Sequence, residues 1–197
     1  MKVIGIIGSP HAAGNGATLV REALAGAKAA GADVEEVFLP EHRVEFCRNC
    51  DACLKTGRCA VADDFAALRD RLLAADGIIL SSPTYAKAPC ARVKNLLDRF
   101  GQFAWLASTF GGKYVAGIAT GSSFGAPAVA KQLTGALASG VFRRAYVSGT
   151  LGVHLRGGKV SAMPRALQQA RTLGAKVAAN AAAGKRFPLQ NLGGRLP

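Results

Sequence analysis

The second half of the chain contains no acidic residue. Residues 1–98 hold twelve Lys or Arg and twelve Asp or Glu, whereas residues 99–197 hold thirteen Lys or Arg, so the whole net charge of +13 lies in the second half. Such an excess of one sign raises the local concentration of phosphates, dinucleotides and acidic proteins. A basic helix, a zinc-finger spacing and an aromatic-rich motif are all missing, however, and we therefore do not expect a nucleic-acid partner.

Other missing patterns exclude further classes of protein. No apolar run approaches the roughly 20 residues that span a bilayer, so we expect no contact with a membrane. The chain has no Ser-His-Asp order, no paired carboxylates and no GxxxxGK[ST] loop, which argues against a hydrolase or an NTPase. The opening MKVIGIIGSP predicts a strand and a turn rather than a signal peptide, and we expect a cytoplasmic protein.

The spacing of apolar residues predicts alternating strands and helices. The predicted strands cover residues 2–8, 33–39, 77–81, 114–119 and 144–148, and the predicted helical stripes cover 19–27, 65–73, 93–100, 128–137 and 166–183. This alternation requires right-handed crossovers and a parallel sheet with helices on both faces. We predict a three-layer α/β fold whose five-stranded parallel sheet has the flavodoxin-like order 2-1-3-4-5. Because no repeat or linker interrupts it, we predict one domain over residues 1–183 and a tail over 184–197.

Three loops follow strands at the predicted carboxyl edge of the sheet, where ligands of such folds bind. The first, residues 8–18, is rich in glycine and small residues and opens a helix, so its backbone N–H groups favour a phosphate. The second, residues 81–89, is stiffened by two prolines, and its Tyr85 offers a flat face to a planar ring. The third, residues 120–125, has small residues that let a flat ligand approach the backbone.

Four of the five cysteines, Cys47, Cys50, Cys53 and Cys59, lie within thirteen residues and have the spacing C-x2-C-x2-C-x5-C. A [4Fe–4S] cluster needs four thiolates that converge on one centre, and closely spaced cysteines supply them. Zinc is the second interpretation, because structural zinc more often uses two separated pairs, and free or redox-active thiols are the third. Nothing indicates the oxidising compartment that disulfides need. Cys90 stands apart and is predicted to be a small buried side chain near a helix start.

Together these motifs resemble the iron–sulfur flavoproteins of the NADPH-dependent FMN reductase family. The resemblance covers residues 1–150 and rests on Gly-Ser-Pro…Gly-Asn in the first loop, the cysteine run followed by Asp63-Asp64, and SSPTYA followed by a KNLLDR helix. It implies FMN above the sheet and a [4Fe–4S] cluster with Cys47, Cys50, Cys53 and Cys59 as ligands. It also implies a homodimer or homotetramer in which the cluster and the flavin of neighbouring chains face each other.

By the same resemblance, the first loop holds the FMN phosphate, the second lies along the isoalloxazine ring, and the third lies at the other edge of that ring. The implied contacts are Ser9, His11, Asn15, Gly16, Ala17, Thr18, Pro83, Thr84, Tyr85, Ala86, Thr120, Gly121, Ser122 and Ser123. This chain has Gly16 where the family usually has threonine, and His11 where it often has arginine. We expect both changes to weaken FMN binding without abolishing it, since backbone amides do much of the holding.

The predicted function is that of an FMN-dependent oxidoreductase that transfers electrons through FMN and a [4Fe–4S] cluster. The donor is either NAD(P)H or a reduced ferredoxin-type protein, both of which the basic second half would attract. One alternative is an NAD(P)H-dependent FMN or quinone reductase without a cluster. Another is a non-enzymatic flavin-binding redox module that docks an acidic partner.

Overall fold

The computed structural model describes residues 1–106, 110–139 and 144–186, of which residues 102–106 are described as backbone only. Most of the predicted tail, residues 187–197, lies outside the described residues. The strands are β1 Lys2–Ile7, β2 Asp33–Phe38, β3 Gly77–Tyr85, β4 Ala88–Pro89, β5 Tyr114–Gly121 and β6 Tyr146–His154. The helices are α1 Asn15–Ala29, α2 Ala52–Thr56, α3 Phe65–Ala74, α4 Ala91–Leu106, α5 Ala126–Leu137 and α6 Pro164–Ala182, with short 3-10 turns at Leu39–Glu41 and Val160–Ala162.

The five long strands form a parallel sheet in the order β2-β1-β3-β5-β6, which confirms the predicted 2-1-3-4-5 order. The two-residue β4 was not predicted and pairs antiparallel with the end of β3. The hairpin between them turns through Ala86 and Lys87, which both have a positive φ. This pairing, together with β5, carries β3 four residues beyond the predicted end at residue 81.

The last strand differs most from its prediction. We expected residues 144–148, but β6 runs to His154 through Gly149 and Gly152. Because glycine is depleted in strands, Gly149 and Gly152 argue against a strand when the sequence is read alone. Gly152 is required by packing, because a Cβ there would lie 2.3 Å from the backbone nitrogen of Pro127 at the start of α5.

Two apolar layers cover the sheet, as the three-layer prediction requires. One layer packs α3, α4 and α5 against one face, and the other packs α1 and α6 against the opposite face. Helices α1 and α6 meet in backbone contact: a Cβ on Gly26 would lie 1.9 Å from the Arg171 carbonyl oxygen, and one on Gly174 would lie 1.7 Å from that of Ala23. Within the described ranges, no helix has both the length and the hydropathy needed to cross a bilayer.

Candidate functional site

A cavity of about 470 Å³ lies where the predicted loops meet at the carboxyl edge of the sheet. Its walls come from the first loop, the ends of β3 and β5, and the turn after β6. The residues that line it are Ser9, His11, Gly14, Asn15, Gly16, Pro83, Thr84, Tyr85, Thr120, Gly121, Ser122, Leu155, Gly157 and Gly158. Ten of the fourteen residues predicted to contact FMN are therefore brought together in one place.

The other four predicted residues lie outside this lining. Ala17 is buried in the core beneath α1, and the Thr18 hydroxyl donates to the carbonyl of Gly14 at 3.2 Å. Ala86 is exposed in the β3–β4 turn, and Ser123 is exposed beyond β5. Their contact with FMN stays a prediction without support from the shape of the cavity.

The first loop is held in place by backbone hydrogen bonds and by side chains, among them Ser9 and Arg21, which donates to the Ala12 carbonyl at 2.8 Å. The buried Ser9 hydroxyl accepts the N–H of His11 at 3.2 Å, and Gly14 N–H donates to the His11 carbonyl at 3.0 Å. Gly8 N–H donates to the Ser81 carbonyl at 3.1 Å, which ties the loop to β3. Helix α1 then begins at Asn15, so its first N–H groups have no partner within the helix and favour an anion there.

Asn15 connects the first loop to the turn after β6. Its side-chain oxygen accepts the N–H of Val160 at 2.8 Å, although the two residues are 145 positions apart. This contact lies next to the segment in which Leu155, Gly157 and Gly158 line the cavity. These three residues were not predicted, because the predicted fifth strand ended at residue 148. A Gly-Gly pair just after a strand on this sheet edge was the signal that could have found them.

The lining of the cavity includes a buried hydroxyl without a partner among the described residues. Among the described residues, nothing hydrogen-bonds to Oγ1 of Thr84, and a buried polar atom left in this way costs free energy. A Cβ on Gly121 would lie 3.3 Å from the Thr84 Cβ, so glycine keeps this wall open. Tyr85 is 56% exposed at the mouth. Backbone donors, a slot between loops and an unpaired hydroxyl together fit a phosphorylated planar ring such as FMN.

The cysteine loop lies apart from the cavity, on the face of the sheet covered by α3, α4 and α5. Cys47 and Cys50 are exposed, while Cys53 and Cys59 are half-buried against the core. In the part of the chain that the structure describes, no three Cys, His, Asp or Glu side chains are placed to coordinate one metal ion. Four thiols in one short loop are nevertheless the donor set that an iron–sulfur cluster takes.

The thiols lie close enough to affect one another. Burial raises the pKa of the Cys53 thiol, and the neighbouring Cys59 and Cys47 raise it further because a second thiolate would repel the first. A bound cation removes this repulsion, since metal binding draws the proton off each ligand. The Cys53 thiol is therefore harder to deprotonate than the thiol of an isolated cysteine, unless a bound cation compensates the charge.

Arg99 of α4 reaches under the cysteine loop as a buried cation. Its guanidinium pairs with Asp63 at 2.5 and 3.1 Å, and neither side chain is exposed to solvent. It also donates to the Glu45 carbonyl at 2.7 Å and, through Nη2, to the Cys59 sulfur at 3.3 Å. Its central carbon lies 4.4 Å from the centroid of the Phe65 ring.

Asp63 and Asp64, just before α3, bond to different parts of the chain. Asp63 accepts the N–H of Phe65 at 3.0 Å, whereas Asp64 accepts the N–H of Arg43 at 2.7 Å. Burial alone would raise the pKa of the Asp63 carboxyl, but hydrogen bonds from Arg99 and from two backbone N–H groups outweigh it and lower the pKa. The pairing of Asp63 with Arg99 is a contact that the sequence analysis did not find.

Comparison with known proteins shows which family has a similar sequence. The profile of the NADPH-dependent FMN reductases matches residues 1–156. An iron–sulfur flavoprotein of Methanocaldococcus jannaschii is 41% identical over 99 residues, which are 50% of this chain and 51% of that protein. One from Archaeoglobus fulgidus is 33% identical over 118 residues, which are 58% and 54% of the two chains. The chain thus spans about half the length of these curated relatives.

Solved structures agree on the fold. A flavone reductase superposes with a TM-score of 0.72 at 23% identity, covering 92% of this chain and 63% of its own. A flavodoxin from the domain Archaea superposes with a TM-score of 0.58 at 15% identity, covering 92% and 99%. At these identities the likeness establishes the flavodoxin-like fold alone. The profile match spans most of the chain and every loop of the cavity up to Leu155. It shows that this chain belongs to the NADPH-dependent FMN reductase family.

Proposed function

We propose that the protein is an FMN-dependent oxidoreductase that holds FMN in the carboxyl-edge cavity and carries a [4Fe–4S] cluster on Cys47, Cys50, Cys53 and Cys59. The observation that carries the proposal is the cavity itself, whose lining combines the backbone donors of a helix start with the unpartnered Thr84 hydroxyl. Membership of the FMN reductase family supports the same ligand.

Each part of the cavity has a distinct task in this proposal. The N–H groups at the start of α1 receive the phosphate, and the exposed His11 adds a side-chain donor. The Thr84 hydroxyl donates to a polar edge of the ring, while Pro83 and Tyr85 exclude water from one of its faces. When bound, FMN supplies the exchange between two-electron and one-electron chemistry.

The cluster is supported by the thiols and by the charge placed beside them. Four cysteines supply the ligand set, and Nη2 of the Arg99 cation donates to the Cys59 sulfur. The curated relatives named above are called iron–sulfur flavoproteins. When bound, a cluster of this type passes single electrons.

The donor in this proposal is NAD(P)H or a reduced ferredoxin-type protein, because both are anionic and the second half of the chain is basic throughout. By the family resemblance, the protein acts as a homodimer or homotetramer. A cluster-free NAD(P)H-dependent FMN or quinone reductase is the second candidate, favoured by the lack of three converging metal ligands among the described residues.

One pair of variants separates these candidates. Cys50 is exposed in the loop, whereas Cys90 is buried and its thiol donates to the Gly8 carbonyl at 3.3 Å. In protein prepared without oxygen, we expect Cys50→Ser to lose most of its iron and acid-labile sulfide and to keep its FMN. The matched Cys90→Ser should keep all three. A full complement of iron and sulfide in Cys50→Ser would contradict the cluster assignment.

A further inference from the structure

We infer that Arg99 is the positioning residue of the cysteine loop: it fixes Cys59 against the core and directs a charged N–H donor at the sulfur that Cys59 would offer to a metal. The inference rests on the proposed cluster, but it concerns a residue from outside the cysteine run. Arg99 lies forty positions after Cys59 and reaches it only because α4 packs beside the loop.

The guanidinium uses its donors on three separate segments. Two N–H···O bonds go to Asp63 before α3, one goes to the backbone of Glu45, and one goes to the Cys59 sulfur. A planar fork can hold these partners at once, whereas the ammonium group of lysine is a compact point charge. Arg99 therefore joins both ends of the cysteine loop to α4.

The four thiols are unequal as a result. The Cys59 sulfur accepts a hydrogen bond from a buried cation, whereas the exposed Cys47 sulfur accepts only a long bond of 3.5 Å from the Asn49 N–H among the described contacts. Charge-assisted hydrogen bonds are roughly twice as strong as neutral ones. Cys59 is thus held in place by a charged donor from α4, whereas the Cys47 sulfur has only a neutral backbone donor two residues away.

The same helix is fixed at its other end to the cavity. Just before α4, Cys90 N–H donates to the Ser82 hydroxyl at 2.9 Å, and the Cys90 thiol donates to the Gly8 carbonyl. Ala91 and Arg99 are eight residues apart, or about 12 Å along a helix. One rigid element therefore sets the position of Cys59 relative to the loops that would hold FMN.

If the pair of Arg99 with Asp63 were purely structural, changing its charge would not alter the reduction potential of the cluster. A donor aimed at a metal ligand should alter it. Hydrogen bonds and positive charge at a ligand sulfur stabilise the reduced, more negative cluster and raise its reduction potential. Asp63→Asn leaves the charge of Arg99 uncompensated beside Cys59, so the cluster potential should rise. The paired variant Arg99→Gln/Asp63→Asn removes the charged donor without leaving a buried carboxylate, so the potential should fall.

The test is a redox titration of the full-length protein loaded without oxygen, with the potential of the bound flavin in the same sample as the internal reference. The control is Lys94→Gln, on the exposed side of the same helix, where Lys94 pairs with Asp98. We expect shifts of opposite sign in the two Asp63 variants, no shift in the control, and an unmoved flavin potential in all. Unchanged cluster potentials, or shifts of the same sign in both variants, would overturn the inference.

A second measurement separates this inference from the proposed function. In the same proteins purified without added iron, amides of residues 47–59 should exchange with deuterium several-fold faster in Arg99→Gln/Asp63→Asn than in the wild type, while β1 and β3 stay unchanged. Wild-type protein that takes up no iron contradicts the cluster, and the exchange data then decide whether Arg99 positions the loop. Unchanged exchange in residues 47–59 would show that it does not.

Discussion

The carboxyl-edge cavity and the cysteine loop are built in opposite ways. The cavity is made largely of backbone at the ends of parallel strands, and its few side-chain contacts, such as that of Asn15 with Val160, connect one loop to another. The cysteine loop has little regular structure beyond the five residues of α2, and it depends on one buried ion pair, Arg99 with Asp63. The sheet therefore specifies the cavity, whereas side chains of a distant helix hold the loop: Arg99 bonds to Cys59 and Glu45, and Asn95 bonds to the Val44 carbonyl at 2.6 Å.

The contrast predicts that the two regions fail differently. A substitution in the cavity should have a local effect, because many backbone hydrogen bonds hold the surrounding loops in place. A change at the ion pair should be severe, since each charge is excluded from water and has one oppositely charged partner among the described side chains.

The largest effect should come from Arg99→Ala, which leaves the Asp63 carboxylate buried without its cation. We expect the free energy of unfolding to fall by about 3–5 kcal/mol. Urea unfolding followed by circular dichroism measures it. The comparison variant is Lys94→Ala, which removes an exposed pair on the same helix and should cost less than about 1 kcal/mol. Similar losses in both variants would mean that the ion pair does not anchor the loop.

The next effect should come from Gly8→Ala in the first loop, directly before the cavity residue Ser9. A Cβ there would lie 2.5 Å from the Ser81 carbonyl oxygen and 2.1 Å from a methyl carbon of Val93, so the first loop must shift. We expect a loss of about 1–3 kcal/mol in unfolding free energy together with weaker FMN binding. Gly57→Ala in the cysteine loop meets open space at a φ of +70° and should cost about 1–2 kcal/mol while FMN affinity is retained. Fluorescence titration with FMN measures the affinity of both variants. An equal loss of FMN affinity in Gly8→Ala and Gly57→Ala would contradict the separation of the cavity from the cysteine loop.

A smaller effect should come from Asn15, whose side-chain oxygen holds the turn after β6. Asn15→Ala should lower the unfolding free energy by about 1 kcal/mol, the worth of one hydrogen bond. Asn15→Asp keeps the acceptor but adds a negative charge beside the phosphate position, so FMN affinity should fall roughly tenfold with little loss of stability. If Asn15→Asp binds FMN as tightly as the wild type does, the phosphate lies elsewhere.

The smallest effect should be on the pH dependence of stability. The pKa of Asp63 is lowered in the folded protein, so its contribution is complete above the unfolded carboxyl pKa of about 3.9 and is lost as the pH falls toward the folded value. Urea unfolding between about pH 6 and pH 3 should therefore show a steeper acid loss in the wild type than in Asp63→Asn. Parallel curves would show that Asp63 titrates alike in both states.

The sequence predicted the features that repeat or that lie close together along the chain. Apolar periodicity predicted five alternating strands, whose number matched the flavodoxin-like order, and the family resemblance of three loops implied ten of the cavity residues. The extension of β6 beyond residue 148 was not predicted, because Gly149 and Gly152 are residues typical of turns. The cavity residues that follow β6 were not predicted for the same reason. Arg99 was visible only as part of a helix motif, since its contacts with Cys59 and Asp63 span 40 and 36 positions and follow from packing.

The metal and flavin content of the wild-type chain tests the proposed function most directly. Iron, acid-labile sulfide and FMN should be measured per chain after preparation without oxygen, alongside the visible spectrum. We expect one FMN with about four iron atoms and four sulfides, the composition of a [4Fe–4S] cluster. A chain that retains FMN with neither iron nor sulfide would contradict the cluster and leave the cluster-free reductase in its place.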